Sequence, residues 1–269
     1  MKKLILLLAL GMAGVSAAAT AETYKISIMP RFFNDKLTAM MTPLIEYLHQ
    51  QTGLDIELVL ASDNADYTKR LKAGTIAIGF QNPVVYTEVA PQHQAVASAR
   101  EFGENRYRGI VIVRPDSPIK ALKDLRGKHV MIAGKNTAGA YLSQKLSLSE
   151  IGIPITDLKV DTAAENREEN VDIAVSVGDV DAGFVRESSL HVADAYVVPG
   201  SIKKLAETAW VPAWAFSLDR AVPADIRAKI TDAVLKLEPG NAVLKALEVD
   251  GFAPATDADY DTIRQAMKN

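Results

Sequence analysis

Gly134-Lys135-Asn136-Thr137-Ala138-Gly139 stands between a strand-like apolar run and a helix-like run, and it is the segment best suited to holding an anion. Backbone N–H groups at a helix start lack intrahelical partners and carry partial positive charge, so they cradle oxyanions. Asn136 or Thr137 can cap the helix and also donate to ligand oxygens, with Ala138 opening the first turn. A plain capped turn explains the same residues without a ligand, and a P-loop is excluded because its glycine spacing is missing. Three arginines offer rigid forks of donors for planar or tetrahedral oxyanions. Arg31 follows Pro30 after the first strand-like run, beside Phe32 and Phe33; Arg108 neighbours Tyr107; Arg186 follows a second apolar run. Each alone reads more readily as a surface or salt-bridged side chain, but Arg31 and Arg186 fall at strand carboxyl ends, which raises both as ligand candidates. Tyr67, Tyr86, Tyr107, Trp210 and Trp214 supply rings that either line a pocket or pack a core.

The elements that must position these groups are announced by a pattern that occurs twice, 104 residues apart. Leu71-Lys72-Ala73-Gly74-Thr75-Ile76-Ala77-Ile78-Gly79-Phe80 is echoed by Val175-Ser176-Val177-Gly178-Asp179-Val180-Asp181-Ala182-Gly183-Phe184. Each copy reads as a helix end, a glycine that tolerates the left-handed exit, and a short strand buried on both faces. Ligands of open α/β sheets sit beyond the strand carboxyl ends. Gln81-Asn82 and Val185-Arg186-Glu187 are therefore paired candidates for facing a ligand from two α/β lobes.

Strand and helix signals alternate along most of the chain. Strands are expected at 24–29, 56–60, 76–80, 110–113, 129–133, 158–160 and 180–184. Helices are expected at 37–51, 67–73, 138–148, 168–177, 223–237 and 257–267. Repeated βα units imply sheets that are mainly parallel and flanked by helices. The Pro-rich break from Arg114 to Pro118 suggests a crossing between lobes, and residues 204–214 a return. The expected organisation is lobe I from 22–113 and 208–269, with lobe II from 114–207. Two connections form a hinge, so the expected motion is closure of a cleft.

Composition sets the compartment and narrows the function. Lys2 and Lys3 precede an apolar run from Leu4 to Val15 and a small-residue site at Ala19-Thr20-Ala21, the pattern of a cleavable secretory signal over 1–21. Its removal takes the formal charge from −3 to −5, and mild acidity gives no reason to expect a nucleic-acid partner. There is no cysteine for a disulfide, a metal or a lipid anchor, and the periplasm is the expected location. His49, His93, His129 and His191 form no metal-ligand spacing, no serine sits in a nucleophile elbow, and Asp257-x-Asp259-x-Asp261 lacks the glycine of a calcium loop. No cofactor and no catalytic residue is expected.

Across nearly the whole mature length the chain resembles the phosphonate/phosphite/phosphate-binding solute receptors of bacterial ABC importers. The resemblance is carried by Pro43 to Leu48, Leu71 to Gly74, Ile78-Gly79-Phe80, Asn82-Pro83 with Tyr86, and Tyr107 to Arg114. It continues through Leu122 to Lys128, Gly178 to Gly183 and Gly251-Phe252-Ala253-Pro254. It implies a two-lobed type II periplasmic binding fold, a ligand in the cleft between lobes, and delivery to a membrane permease. The family's Ser-Thr-Ser-Gly anion loop aligns with Asn136-Thr137-Ala138-Gly139, which drops two hydroxyls. A family histidine falls at Glu168, an acidic residue before a proline at Val211, and the aromatic positions Tyr67 and Tyr107 match. The expectation is a monomeric receptor for a small, anionic ligand. Polar contacts are expected from Arg31, Gln81, Asn82, Asn136, Thr137 and Arg186, with Phe33, Tyr67, Tyr86, Tyr107, Ala138 and Trp210 completing the wall. A sensor subunit that docks on a histidine kinase or chemoreceptor is the alternative role for the same fold, and an enzyme on a related two-lobed fold is a further alternative.

Overall fold

The computed structural model describes residues 22–268; the expected signal segment lies outside them. The chain begins with β1 (Thr23–Ile28), α1 (Asn34–Thr52), β2 (Asp55–Leu58), α2 (Asn64–Lys72), β3 (Ile78–Gln81), α3 (Pro83–Val89) and β4 (His93–Arg100). β5 (Arg106–Val113) and β6 (His129–Ile132) follow, then a π-helical turn (Ala138–Leu142) that runs into α4 (Ser143–Glu150). Next come β7 (Lys159–Thr162), α5 (Glu168–Val177), β8 (Ala182–Arg186) and β9 (Lys203–Pro212). β10 (Ala215–Asp219), α6 (Ala224–Leu235), α7 (Ala242–Leu247), β11 (Gly251–Pro254) and α8 (Asp261–Lys268) close the chain.

These strands make two sheets, a six-stranded one in the order β11-β4-β10-β3-β1-β2 and a five-stranded one in the order β7-β6-β8-β5-β9. Each sheet has a parallel half built from βα units, β2-β1-β3 in one and β7-β6-β8 in the other. Antiparallel strands complete each sheet, β10, β4 and β11 in the first and β5 and β9 in the second. Helices cover both faces, giving each sheet two apolar clusters. α1 shows why: Leu37, Met40, Met41, Leu44 and Leu48 recur at helical spacing, all are buried against the first sheet, and Gly53 ends the helix at φ 70°.

The repeated glycines mark the same packing event in both lobes. A Cβ on Gly79 would come within 3.0 Å of Leu71 on α2, and one on Gly183 within 2.6 Å of Val171 on α5. Glycine lets the preceding helix lie directly on the strand that follows it. Phe80 and Phe184 point to the opposite face and are fully buried.

The lobe boundaries differ from the expected 22–113, 114–207 and 208–269. β5 pairs along its length with β8 and β9, so the change of sheet falls at 101–105, before β5, and the return at 213–214, after β9. The Pro-rich break ends β5 without changing sheet, and the chain re-enters the same sheet at β6, on the far side of β8. The C-terminal segment also divides. α6 and α7 pack on α1, but Ile263 and Ala266 of α8 join the second lobe's core beside Leu146 and Val211, touching Val84 of α3 on the way.

Candidate functional site: the cleft between the sheets

A cavity of about 700 Å³ opens between the carboxyl ends of the two parallel halves. The first lobe contributes Arg31, Phe32, Asn82 and Trp214; the second contributes Tyr107, the turn Thr137-Ala138-Gly139, the start of α5, and Arg186 with Ser188 and Ser189.

Arg186 stands one residue beyond the buried Val185 at the end of β8. Its Nε donates to Glu168 Oε1 at 2.9 Å, its backbone N–H donates to Glu168 Oε2 at 2.8 Å, and Ser189 Oγ donates to the same oxygen. Burial opposes the charge of Arg186, but Glu168, Tyr107 and Glu101 outweigh it and raise the guanidinium above its usual range. Glu168 thus fixes the Nε side of the fork, and the terminal nitrogens remain as the donors available to a ligand. Arg31 faces from the other lobe, stacked 4.8 Å from the Trp214 ring and 3.9 Å from Glu248. Burial lowers its pKa, and so does the charge of Arg186 across the cleft. Both remain cations at any physiological pH.

The turn at 137–139 is held from behind. Gln144 Nε2 sits 3.0 Å from the Gly139 and Ile110 carbonyls and 3.1 Å from that of Val185, tying the turn to β5 and β8. A Cβ on Gly139 would fall 2.6 Å from Arg186 and 2.8 Å from Tyr107, so glycine is what lets the turn sit between them. The π-helical start closes with Leu142 N–H bonded to the Thr137 carbonyl, leaving the intervening N–H groups without intrahelical acceptors. Thr137 Oγ1 gives its proton to the Gly134 carbonyl at 2.6 Å and does not cap the helix, so anion donation there rests on the backbone. Asn82 Oδ1 caps α3 by accepting from Val85 N–H at 2.8 Å, which leaves the amide NH2 as its donor. Burial pushes the Tyr107 phenol up, so it is a neutral donor.

Of the residues expected at the ligand, Arg31, Asn82, Tyr107, Thr137, Ala138 and Arg186 line this cavity together. The other six are elsewhere. Gln81 lies on the α2 face of β3, as Val185 does on the α5 face of β8, and bonds Ser217 Oγ and Tyr67 OH. Tyr67 is fully buried there, donating also to the Phe80 carbonyl. Tyr86 is buried against Tyr260 with its hydroxyl on Asp257, bracing α3. Phe33 precedes α1 and is 92% exposed, so Phe32 is the ring that turns inward. Asn136 faces a neighbouring groove with Asn64 and Lys69. Trp210 lies mid-strand on β9, stacked on Arg106 and Arg108, and Trp214, past the strand end, takes its expected place. Arg108 is taken up by Glu187 and Glu207. Sequence reasoning placed Gly139 in the anion segment but missed Gln144 and Asp172; the alternation that buries Val185 and frees Arg186 also selects Asn82 over Gln81.

A family model for the periplasmic phosphonate-binding component of ABC transporters matches residues 26–260. The phosphate-import protein PhnD of Mycolicibacterium smegmatis is 24% identical over 93% of this chain and 86% of its own. The fold matches PhnD1 of Prochlorococcus marinus, solved with methylphosphonate, at TM-score 0.70 with 12% identity, over 91% of this chain and 97% of that one. It also matches a phosphonate-transporter binding protein from Pseudomonas aeruginosa at TM-score 0.65 with 17% identity, over 91% and 85%. The chain belongs to the phosphonate-binding family of periplasmic ABC-transporter substrate-binding proteins.

Proposed function

We propose that this protein captures a small phosphorus oxyanion (a phosphonate, phosphite or phosphate) between its lobes in the periplasm and presents it, as a monomer, to an ABC permease of the inner membrane. The observation that carries this reading is the meeting of Arg31 and Arg186, from opposite lobes, at one cavity that also holds the π-helical turn's free N–H groups. An anion bridging the two arginines relieves their mutual repulsion only when the lobes come together, which couples binding to closure. Similarity to a phosphate-import protein and to a fold solved with methylphosphonate supports the choice of ligand class.

The test is thermal unfolding and calorimetry of residues 22–269, refolded from denaturant to strip carried ligand, with phosphate, phosphite, methylphosphonate, sulfate and uncharged controls. A ligand at a thousand times its dissociation constant should add about 4 kcal/mol of stability. A response to a phosphorus oxyanion that disappears in Arg186→Gln supports the reading, and a response only to uncharged compounds removes it.

A further inference from the structure

Asp172 lies one turn beyond Glu168 on α5 and lines the cleft, yet it is 1% exposed and its Oδ1 has no hydrogen-bond partner. A buried carboxylate oxygen without a donor is costly, and sites are where such costs are met by a ligand. None of the charged and titratable groups around the cavity meets it in this structure. Glu168 and Glu169 on its own helix are acceptors; Arg186 on β8 gives its Nε to Glu168; Arg167, Arg31 and the Tyr107 hydroxyl line the same cavity without bonding it. That leaves the oxygen to be met by whatever fills the cleft.

Resting on the oxyanion reading above, we propose that Asp172 determines which oxyanions the cleft retains, by accepting a hydrogen bond from a ligand oxygen that still carries a proton. Phosphorus oxyanions keep such a proton near neutral pH. Sulfate and sulfonates, of the same shape, do not, and they meet Asp172 oxygen to oxygen. One proton has to lie between the carboxylate and the anion, and a sulfonate can be held only if Asp172 supplies it. Burial, with Glu168 and Glu169, pushes this carboxyl up to about 7, so that supply fails as the solution becomes alkaline.

The experiment compares methylphosphonate with methanesulfonate, of the same shape, by calorimetry on wild type and D172N at pH 8, where the phosphonate can still carry this proton and the sulfonate cannot. Wild type should prefer methylphosphonate by at least about tenfold, and D172N, whose amide can donate, should bring the two within about threefold by gaining methanesulfonate. A ratio that survives in D172N, or a variant that tightens both anions equally through simple loss of repulsion, overturns the proposal. So does 2-aminoethylphosphonate binding far above methylphosphonate only while Asp172 is present, which would make an ammonium the donor. Wild type alone gives a second readout should D172N not fold. Its affinity for methanesulfonate should fall about tenfold per pH unit above 7, and a flat profile overturns the proposal. Binding of phosphorus oxyanions with either failure leaves the oxyanion reading standing. If no oxyanion binds wild type, both readings fall.

Discussion

Asn82 and Arg186 occupy the same position of the repeated pattern, one residue past the strand face that packs on the preceding helix, and they do different work. Asn82 uses its carbonyl oxygen as the cap of α3 and is neutral. Arg186 is a cation whose carboxylate partner, Glu168, comes from the helix that precedes its own strand. The first lobe brings its charge on a separate loop, Arg31 stacked on Trp214. The second lobe builds charge and counter-charge into one βαβ unit and adds the π-helical start that follows β6, and the first lobe supplies cover. The difference teaches that a repeated scaffold fixes where a side chain can reach the cleft and leaves its chemistry free.

The largest expected effect tests this division directly. Arg186→Gln should weaken oxyanion binding by about thirtyfold or more, since truncating one partner of a buried charge contact costs about 2–5 kcal/mol. Asn82→Ala removes a helix cap, worth about 1 kcal/mol of stability, and should weaken binding by less than about tenfold. Calorimetry on both variants decides it, and equal losses would break the comparison. Glu168→Gln should act between these. It leaves Arg186 in place without its charged partner, so unfolding stability and binding fall together.

A smaller effect separates packing from recognition at the two kinds of glycine. Gly79→Ala pushes a methyl against Leu71, Ser217 and the buried Gln81, and overpacking of this kind costs about 1–3 kcal/mol. Its melting temperature should drop with the ligand affinity of the folded protein unchanged. Gly139→Ala pushes instead on Tyr107 and Arg186, side chains that line the cleft. Affinity should drop more than stability. Titration calorimetry paired with thermal unfolding reads both, and a stability loss in Gly139→Ala as large as in Gly79→Ala would place that turn in the scaffold.

β3 and β8 were legible because they are short, apolar and follow a glycine exit, and because α5 and its exit at Gly178 follow helical spacing closely. β4 and β10 were not, since His93–Arg100 is rich in alanine and Ala215–Asp219 alternates weakly, and both become strands by pairing with β3 and each other. At the site, residue types pointed correctly to the cleft side of each strand but not to the face. Gln81 carries suitable chemistry and spends it on Ser217 and Tyr67, a fact set by which side of β3 it leaves from. Asp172 gave no signal, because a lone aspartate on a helix is unremarkable until its oxygen is found buried without a donor.

The smallest net effect comes from two buried groups that divide between the lobes and oppose each other. In the first lobe, burial holds His93 down at about 4 against its ordinary 6.5. Its folded value lies below its unfolded value, so its stability is full above 6.5 and is lost as pH falls from 6.5 to about 4. In the second lobe, Asp172 is raised from 3.8 to about 7, so its stability is full at low pH and is lost as pH rises through the same interval. Each is worth on the order of 3 kcal/mol at full displacement, and between pH 4.5 and 6.5 the two run in opposite directions. The unliganded wild type should therefore melt at nearly constant temperature across that window. His93→Gln removes one arm, and acidification from pH 7 to 4.5 should then raise the melting temperature by roughly 5 °C. Asp172→Asn removes the other, and the same acidification should lower it by a similar amount. If the lobes melt separately, calorimetry of wild type should show two transitions drifting apart with pH, the His93 lobe falling on acidification as the Asp172 lobe rises. Variants that keep the wild-type profile would mean that neither group titrates on unfolding in this window, and the lobes would then differ in ligand chemistry alone.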